Sequence, residues 1–117
     1  MCREANYSLP EDVVQALKRA LKNEESPLGK QALRQLLLNA RLAGEEQMAI
    51  CQDCGTAVVY LELGQDVHVT GGDLYQAVNE GVRQGYEQGC LRKSMADRPY
   101  SARTNTRDNT PDRKSVV

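Results

Sequence analysis

The 117-residue chain is long enough for about one domain with a modest core, so two domains are not expected. It has a formal net charge of -1 at pH 7, no Trp, no Phe and five Tyr, so its core must rely on Leu, Val and Ala, which favours helices over a β-sandwich. Basic residues are concentrated in residues 92–117, which hold 7 basic and 3 acidic residues. Because this tail has a single aromatic ring and no dense Lys/Arg cluster, we expect no nucleic-acid partner.

The sequence shows no signal for export and no membrane-spanning stretch. Its N-terminus has no basic region followed by an apolar run and a small-residue cleavage site, and nowhere do about 18 apolar residues follow one another. We therefore expect a soluble, cytoplasmic protein with no membrane partner. In that compartment its four cysteines are expected to be reduced and available for metal or redox chemistry.

Two amphipathic helices are predicted in the first part of the chain. Ser8 and Glu11 have the spacing of a capping box, and apolar residues follow with the helical period. Ser26 then has the position of an N-cap before Pro27, and Gly44 is expected to end this second helix. The short connection predicts that the two helices pack as an antiparallel pair.

The pattern changes to that of a strand after the second helix. β-branched and aromatic residues predict a strand over residues 56–63, a turn at Gly64 and a short strand that ends at Val69. A third helix is expected from Asp73, and from Ser94 onward the absence of any period predicts an irregular or disordered segment. The expected fold class is α+β and mainly helical, a helical layer with a short strand pair.

The stretch ICQDCG places Cys51 and Cys54 three residues apart, a spacing that occurs in zinc sites and in redox pairs. Structural zinc needs four ligands, and the remaining candidates, Cys2, Cys90 and His68, form no second closely spaced pair. A redox pair normally follows a strand at a helix N-terminus, whereas this pair precedes a predicted strand. Two small buried thiols are the third alternative, and the spacing alone leaves all three open.

A longer set of segments resembles a known family, the iron-sulfur-dependent fumarate hydratases and the related L-tartrate dehydratases, in their N-terminal or α-subunit region. The resemblance covers roughly residues 4–111, in order and with family-like spacing. It is carried by EANYSLPEDVVQALKRALKNEESPLGKQAL, ICQDCGTAVVYLELGQDVHV, GGDLYQAVNEGVRQGY, LRKS and DNTP. The Cys-Gln-Asp run, the GQDVH turn and the LRKS segment together are the specific part.

The resemblance implies that Cys51 is one of three thiolate ligands of a 4Fe-4S cluster whose fourth iron is open to substrate. That iron would act as a Lewis acid on the hydroxyl group of a hydroxy-dicarboxylate. Gln52 would donate a hydrogen bond to a substrate carboxylate, and Asp53 would orient the hydroxyl or handle a proton as a catalytic residue. Arg92 would hold a carboxylate in a two-pronged grip.

The implied activity is that of a hydro-lyase that interconverts malate and fumarate, with tartrate as the next candidate substrate. Residues 1–93 would then be the N-terminal part of the iron-sulfur hydro-lyase domain, and residues 94–117 an irregular, truncated tail. The expected partners are the dicarboxylate substrate and the remainder of the enzyme or a β subunit, in a homo- or hetero-oligomer. We expect the isolated chain to be inactive. The alternative is a non-catalytic helical interaction module or a remnant without a cluster.

Three positions depart from the family pattern. Cys54 stands where family members commonly have Thr, so the resemblance implies a substitution in the loop and not a second ligand. Arg107 stands in NTRDNTP where the family pattern NTGDNTP has Gly, and a Gly there would serve a backbone conformation with positive φ. After Pro111 the stretch DRKSVV no longer resembles the family.

Overall fold

The computed structural model describes residues 1–110, which contain four helices and one pair of very short strands. This confirms the predicted α+β, mainly helical fold class. The chain forms two compact units, one with Met1 and Arg3–Gln52 and the other with Cys2 and the residues from Asp53 onward. None of the helices within the described residues is both long and apolar enough to cross a bilayer.

The first unit is built from helices α1 (Cys2–Tyr7), α2 (Glu11–Asn23) and α3 (Pro27–Glu46). Helix α2 packs against α3, as their short connection predicts. The predicted cap of α3 is confirmed, because the side chain of Ser26 accepts a hydrogen bond from the Gly29 main-chain N–H at 3.3 Å. Tyr7 and Ala43 are the buried apolar residues of this unit.

Two predicted helix boundaries in this unit are wrong. Ser8 does not cap α2, because Pro10 is the N-cap residue and Glu11 is the first helical residue. Ser8 therefore lies two residues before the N-cap position. Gly44 does not end α3, which continues to Glu46. The helix ends where Gln47 takes a left-handed conformation with φ 54° and the Met48 N–H bonds back to the Ala43 carbonyl.

The second unit contains helix α4 (Leu74–Gln88) and the strands β1 (Ala96–Asp97) and β2 (Thr104–Asn105). The predicted start of the helix is confirmed, because Asp73 is the N-cap and its carboxylate accepts from the Gln76 N–H at 2.8 Å. The strands pair antiparallel with Ala96 opposite Asn105. The buried side chains of this unit are those of Cys54, Val82, Tyr86, Leu91 and Asn109.

The short strand pair lies at a different place from the one predicted. Residues 56–69 contain the predicted turn, in which the Val67 N–H donates to the Gly64 carbonyl at 3.1 Å, but no paired strands. An isolated two-stranded hairpin is at best marginally stable in water, and Tyr60 in this segment is 91% exposed. The observed pair lies instead in the segment predicted as irregular, and the rest of that predicted tail, residues 111–117, lies outside the described residues.

The exposed face of α4 carries a close group of charged side chains around Glu80. Its two carboxylate oxygens accept from Arg83 at 2.6 and 2.7 Å, and one also accepts from Gln84 at 2.6 Å. The hydrogen bonds from Arg83, and then from Gln84, lower the pKa of Glu80 from 4.5 to about 2. Since the folded-state pKa lies below the unfolded one, this group stabilises α4 above about pH 4.5, and that contribution is lost as the pH falls towards 2.

We predict that acidification from about pH 5 to about pH 2 lowers the thermal unfolding midpoint of the chain more than that of Glu80→Gln. The glutamine has no charge to lose on acidification. At pH 5 the Glu80→Gln variant is expected to be less stable than the wild-type chain, because it lacks the ion pair with Arg83. Circular dichroism melts at low salt measure the difference, because salt screens an exposed ion pair. Glu62→Gln, also an exposed glutamate, is the control and should follow the wild-type pH profile. Parallel pH profiles of wild type and Glu80→Gln would contradict the prediction.

Candidate functional site

Cys51 and Gln52 are exposed and lie at the end of the first unit, after α3. The residue before them, Ile50, is held by hydrogen bonds at both its N–H and its carbonyl group. The Ile50 N–H donates to the Asn6 carbonyl at 2.9 Å, and its carbonyl accepts from the side chain of Asn39 at 2.7 Å. The main chain therefore presents the thiol and the amide of these two predicted site residues to solvent from an anchored position.

Asp53 begins the second unit and shapes the loop that follows it. Its carboxylate accepts from the Gly55 N–H at 3.3 Å, and Gly55 has φ 57°, a conformation that favours glycine. The hydroxyl of Tyr86 donates to the Cys54 carbonyl at 2.9 Å and lies 3.3 Å from the Gly55 carbonyl. This hydroxyl is buried, and burial raises the pKa of Tyr86 above its ordinary value. The predicted catalytic carboxylate of Asp53 therefore lies in a loop whose main chain is held by hydrogen bonds from Tyr86.

Arg92 is held beside this loop through its main chain. Its N–H donates to the sulfur of Cys54 at 3.2 Å, and Cys54 is buried. The Arg92 side chain is exposed and, among residues 1–110, makes no ion pair with a carboxylate. The next residue, Lys93, does make an ion pair, with its Nζ 3.5 Å from a carboxylate oxygen of Glu87. The guanidinium of Arg92 is thus left to interact with an anion from outside these residues.

Asn109 holds main-chain segments near these residues together, a structural role that sequence reasoning did not identify. Its side chain is fully buried, and its oxygen accepts from the main-chain N–H groups of Ser94 at 2.8 Å and Met95 at 2.9 Å. Its amide nitrogen donates to the Gly55 carbonyl at 3.4 Å. The signal in the sequence was its place in the DNTP segment, which was recognised but given no role.

The turn before Asn109 confirms the expected backbone conformation at Arg107. This residue has φ 66°, the left-handed conformation for which the family pattern has a glycine, and its N–H donates to the Asn105 side chain at 2.7 Å. The next residue, Asp108, accepts from the Thr110 N–H at 3.0 Å. Burial would raise the pKa of Asp108, but the hydrogen bonds from Thr110, Thr106 and its own main chain together outweigh burial and hold the pKa below its ordinary value.

The described residues do not by themselves form a complete ligand set for a metal ion or an iron-sulfur cluster. No three His, Cys, Asp or Glu side chains within residues 1–110 are grouped closely enough to hold a metal. No disulfide joins the cysteines; Cys51 and Cys90 are exposed, Cys2 is partly exposed and Cys54 is buried against Arg92. A cluster held by three thiolates would therefore find one accessible sulfur in the ICQDCG loop, that of Cys51.

An apolar groove of about 690 Å³ lies within the first unit, lined by Leu9, Val14, Leu37 and Leu38. Lys18 and Arg41 border it, but none of the predicted site residues does. The cavity and the chemistry-bearing loop are therefore separate features of this unit.

Two comparisons with known proteins point in one direction. A family model described as fumarate hydratase (Fumerase) matches residues 1–115. A protein of Methanocaldococcus jannaschii described as a putative L(+)-tartrate dehydratase subunit alpha is 35% identical over 94 residues, which cover 80% of this chain. The chain spans about a third of that relative's length, 33%.

We predict that Tyr86→Phe lowers the free energy of unfolding by about 1–3 kcal/mol, because the buried Cys54 carbonyl loses its hydrogen-bond donor. Urea denaturation of the chain measures the change. Tyr60→Phe is the matched control, since that hydroxyl group is removed from a side chain that is 91% exposed. Equal stabilities of the two variants would show that the Tyr86 hydroxyl does not anchor the loop.

Proposed function

The chain belongs to the fumarate hydratase (Fumerase) family, and we propose that it forms part of a hydro-lyase that reversibly dehydrates a hydroxy-dicarboxylate. Malate and fumarate are the first candidate pair, and tartrate is the next. Because the chain spans 33% of its relative, the activity is proposed for a longer family protein or an assembly that contains this chain.

The observation that carries the proposal is the fixed position of Arg92 beside the loop of Asp53. Its main chain is bonded to Cys54, while its guanidinium is exposed and pairs with no carboxylate in the described residues. A planar guanidinium presents two parallel N–H groups to a carboxylate, which a lysine ammonium cannot do. Arg92 is therefore suited to hold one carboxylate of a dicarboxylate substrate.

Gln52 and Asp53 are proposed to act on the same substrate. The exposed amide of Gln52 would donate a hydrogen bond to a carboxylate oxygen. The carboxylate of Asp53 accepts a hydrogen bond from the Gly55 N–H, which orients it to accept a hydrogen bond from the substrate hydroxyl or to handle a proton in the reaction. Cys54 would support these residues without touching substrate, since its side chain is buried.

Cys51 is proposed to supply one thiolate to a 4Fe-4S cluster in the complete enzyme. Its side chain is exposed and the preceding residue, Ile50, is held by a hydrogen bond to Asn6. Both features suit a ligand of a cluster whose other ligands come from elsewhere in the protein. When bound, such a cluster with an open iron supplies Lewis acidity towards a hydroxyl group. The other thiolates would come from the remainder of the enzyme or from a partner subunit, and for this reason we expect the isolated chain to be inactive.

The proposed ligand can be tested in a fusion of this chain to the remainder of the Methanocaldococcus jannaschii subunit, reconstituted without oxygen. We predict that Cys51→Ala removes the visible absorbance of the cluster, because an iron-bound thiolate has no replacement in alanine. Cys54→Thr is the matched control and should keep it, because a threonine hydroxyl can still accept from the Arg92 N–H.

Loss of absorbance in both variants would show that both cysteines are ligands and that the proposed division of roles is wrong. Full absorbance in both variants would show that neither Cys51 nor Cys54 is a ligand and that the proposed role of Cys51 is wrong. The isolated 117-residue chain is treated in parallel. Turnover of malate or tartrate by that chain, followed by ultraviolet absorbance, would contradict its expected inactivity.

We predict that Arg92→Lys in the same fusion keeps the cluster but lowers kcat/KM about ten-fold to a hundred-fold, since a charged hydrogen bond is worth about 1.5–3 kcal/mol. The charge remains, but the two-pronged grip on a carboxylate is lost. Steady-state kinetics with malate and with tartrate measure the change and identify the better substrate. Lys93→Arg is the control and should change little, because that side chain already pairs with Glu87. Unchanged kinetics of Arg92→Lys would remove Arg92 from the proposed site.

A further inference from the structure

Residues 56–63, TAVVYLEL, belong to no helix or paired strand among residues 1–110. Within residues 1–110, none of its main-chain N–H or carbonyl groups takes part in a hydrogen bond. Its apolar side chains remain largely in water, since Val58 is 68% exposed, Leu61 57% and Leu63 53%. β-branched and aromatic residues in a run of this kind favour a strand, and a strand normally satisfies its main chain on a neighbour.

The segment already lines a groove together with a helix. Ala57, Val58, Val59 and Leu61 line this groove of about 550 Å³ in the second unit with Leu74, Val78 and Val82 of α4. A strand that packs one face on a helix is half of a two-layer arrangement, and the other strands of such a layer are needed to complete it. The described residues contain the helix and this segment but no hydrogen-bonded neighbour for the segment.

We propose that residues 56–63 are a docking edge that pairs with an extended, apolar segment from the part of a family subunit that this chain does not span. The matched relative is about three times as long as the region shared with this chain, which spans 33% of it, so additional chain is available in such a subunit. An added strand satisfies the main-chain groups on one edge of the segment, and its apolar side chains cover those left in water. This pairing does not depend on the proposed chemistry.

Amide hydrogen exchange tests the proposal. The 117-residue chain alone is compared with its fusion to the remainder of the Methanocaldococcus jannaschii subunit, and the aligned segment is measured in that intact subunit as well. We expect the amides on the paired edge, every second one of residues 57–63, to exchange at least about a hundred-fold more slowly in the fusion, because hydrogen-bonded strands open rarely. Slow exchange of the aligned segment in the intact subunit is also expected, and it stays measurable if the fusion does not fold.

Two proline variants show whether main-chain pairing causes the protection. Successive N–H groups of a strand point to opposite edges, so Val58→Pro and Val59→Pro remove donors from opposite edges while replacing the same residue type. Pairing along one edge predicts that one variant loses protection in the fusion and the other keeps most of it, and pairing along both edges predicts that both lose it. Unchanged protection in both variants would overturn the proposal.

Exchange in the intact relative and the oligomeric state of the isolated chain also test the docking proposal. Fast exchange of the aligned segment in the intact relative would overturn the proposal whatever the fusion does. If sedimentation shows that the isolated chain is a dimer in which residues 57–63 are protected, the occupant of the edge is a second copy and the proposal is wrong. Activity measurements are not needed for any of these results, so an inactive fusion with protected amides would reject the proposed function while supporting the docking edge.

Discussion

The buried side chain of Asn109 is the constraint on which the arrangement of the second unit depends. One amide group joins three separate parts of the chain, since it accepts from Ser94 and Met95 and donates to the carbonyl of Gly55. A carboxylate at this position could accept both hydrogen bonds but could not donate the third. An apolar side chain would leave the Ser94 and Met95 N–H groups without this acceptor and the Gly55 carbonyl with only the Tyr86 hydroxyl. The amide is therefore the functional group that suits all three contacts.

The hydrogen bonds around this asparagine explain why two cysteines in one short stretch have different environments. Tyr86 and Asn109 both bond to the main chain that follows Asp53, and Cys54 turns its sulfur inward, where it accepts from the Arg92 N–H. A sulfur used in this way holds the loop and Arg92 together. Cys51, three residues earlier in the sequence, is exposed. The spacing of two cysteines, read alone, could not separate a structural thiol from an accessible one.

Several features that depend on adjacent residues could be predicted from the sequence, although the cap at Ser8 and the helix end at Gly44 were wrong, and features that depend on distant residues could not. The caps at Ser26 and Asp73 are local, because each side chain accepts from an N–H three residues later. The position of the strands is not local, since pairing depends on what lies beside a segment in space, and residues 56–63 have no neighbour in the described structure. The anchors Tyr86 and Asn109 were missed for the same reason, because their partners lie 32 and 54 residues away in the sequence.

Two properties of the described residues have a common physical origin. The loop of Cys51 presents one exposed cysteine sulfur where the proposed cluster would need several, and residues 56–63 present an apolar segment without a hydrogen-bonded neighbour among residues 1–110. Both are incomplete because ligands and strand partners come from distant parts of a chain, whereas caps and turns are completed locally. The segment begins two residues after Cys54, whose carbonyl is fixed by Tyr86. A strand added at residues 56–63 would therefore restrain the same main chain that carries Asp53, so pairing at that edge and order in the candidate site are expected to be coupled.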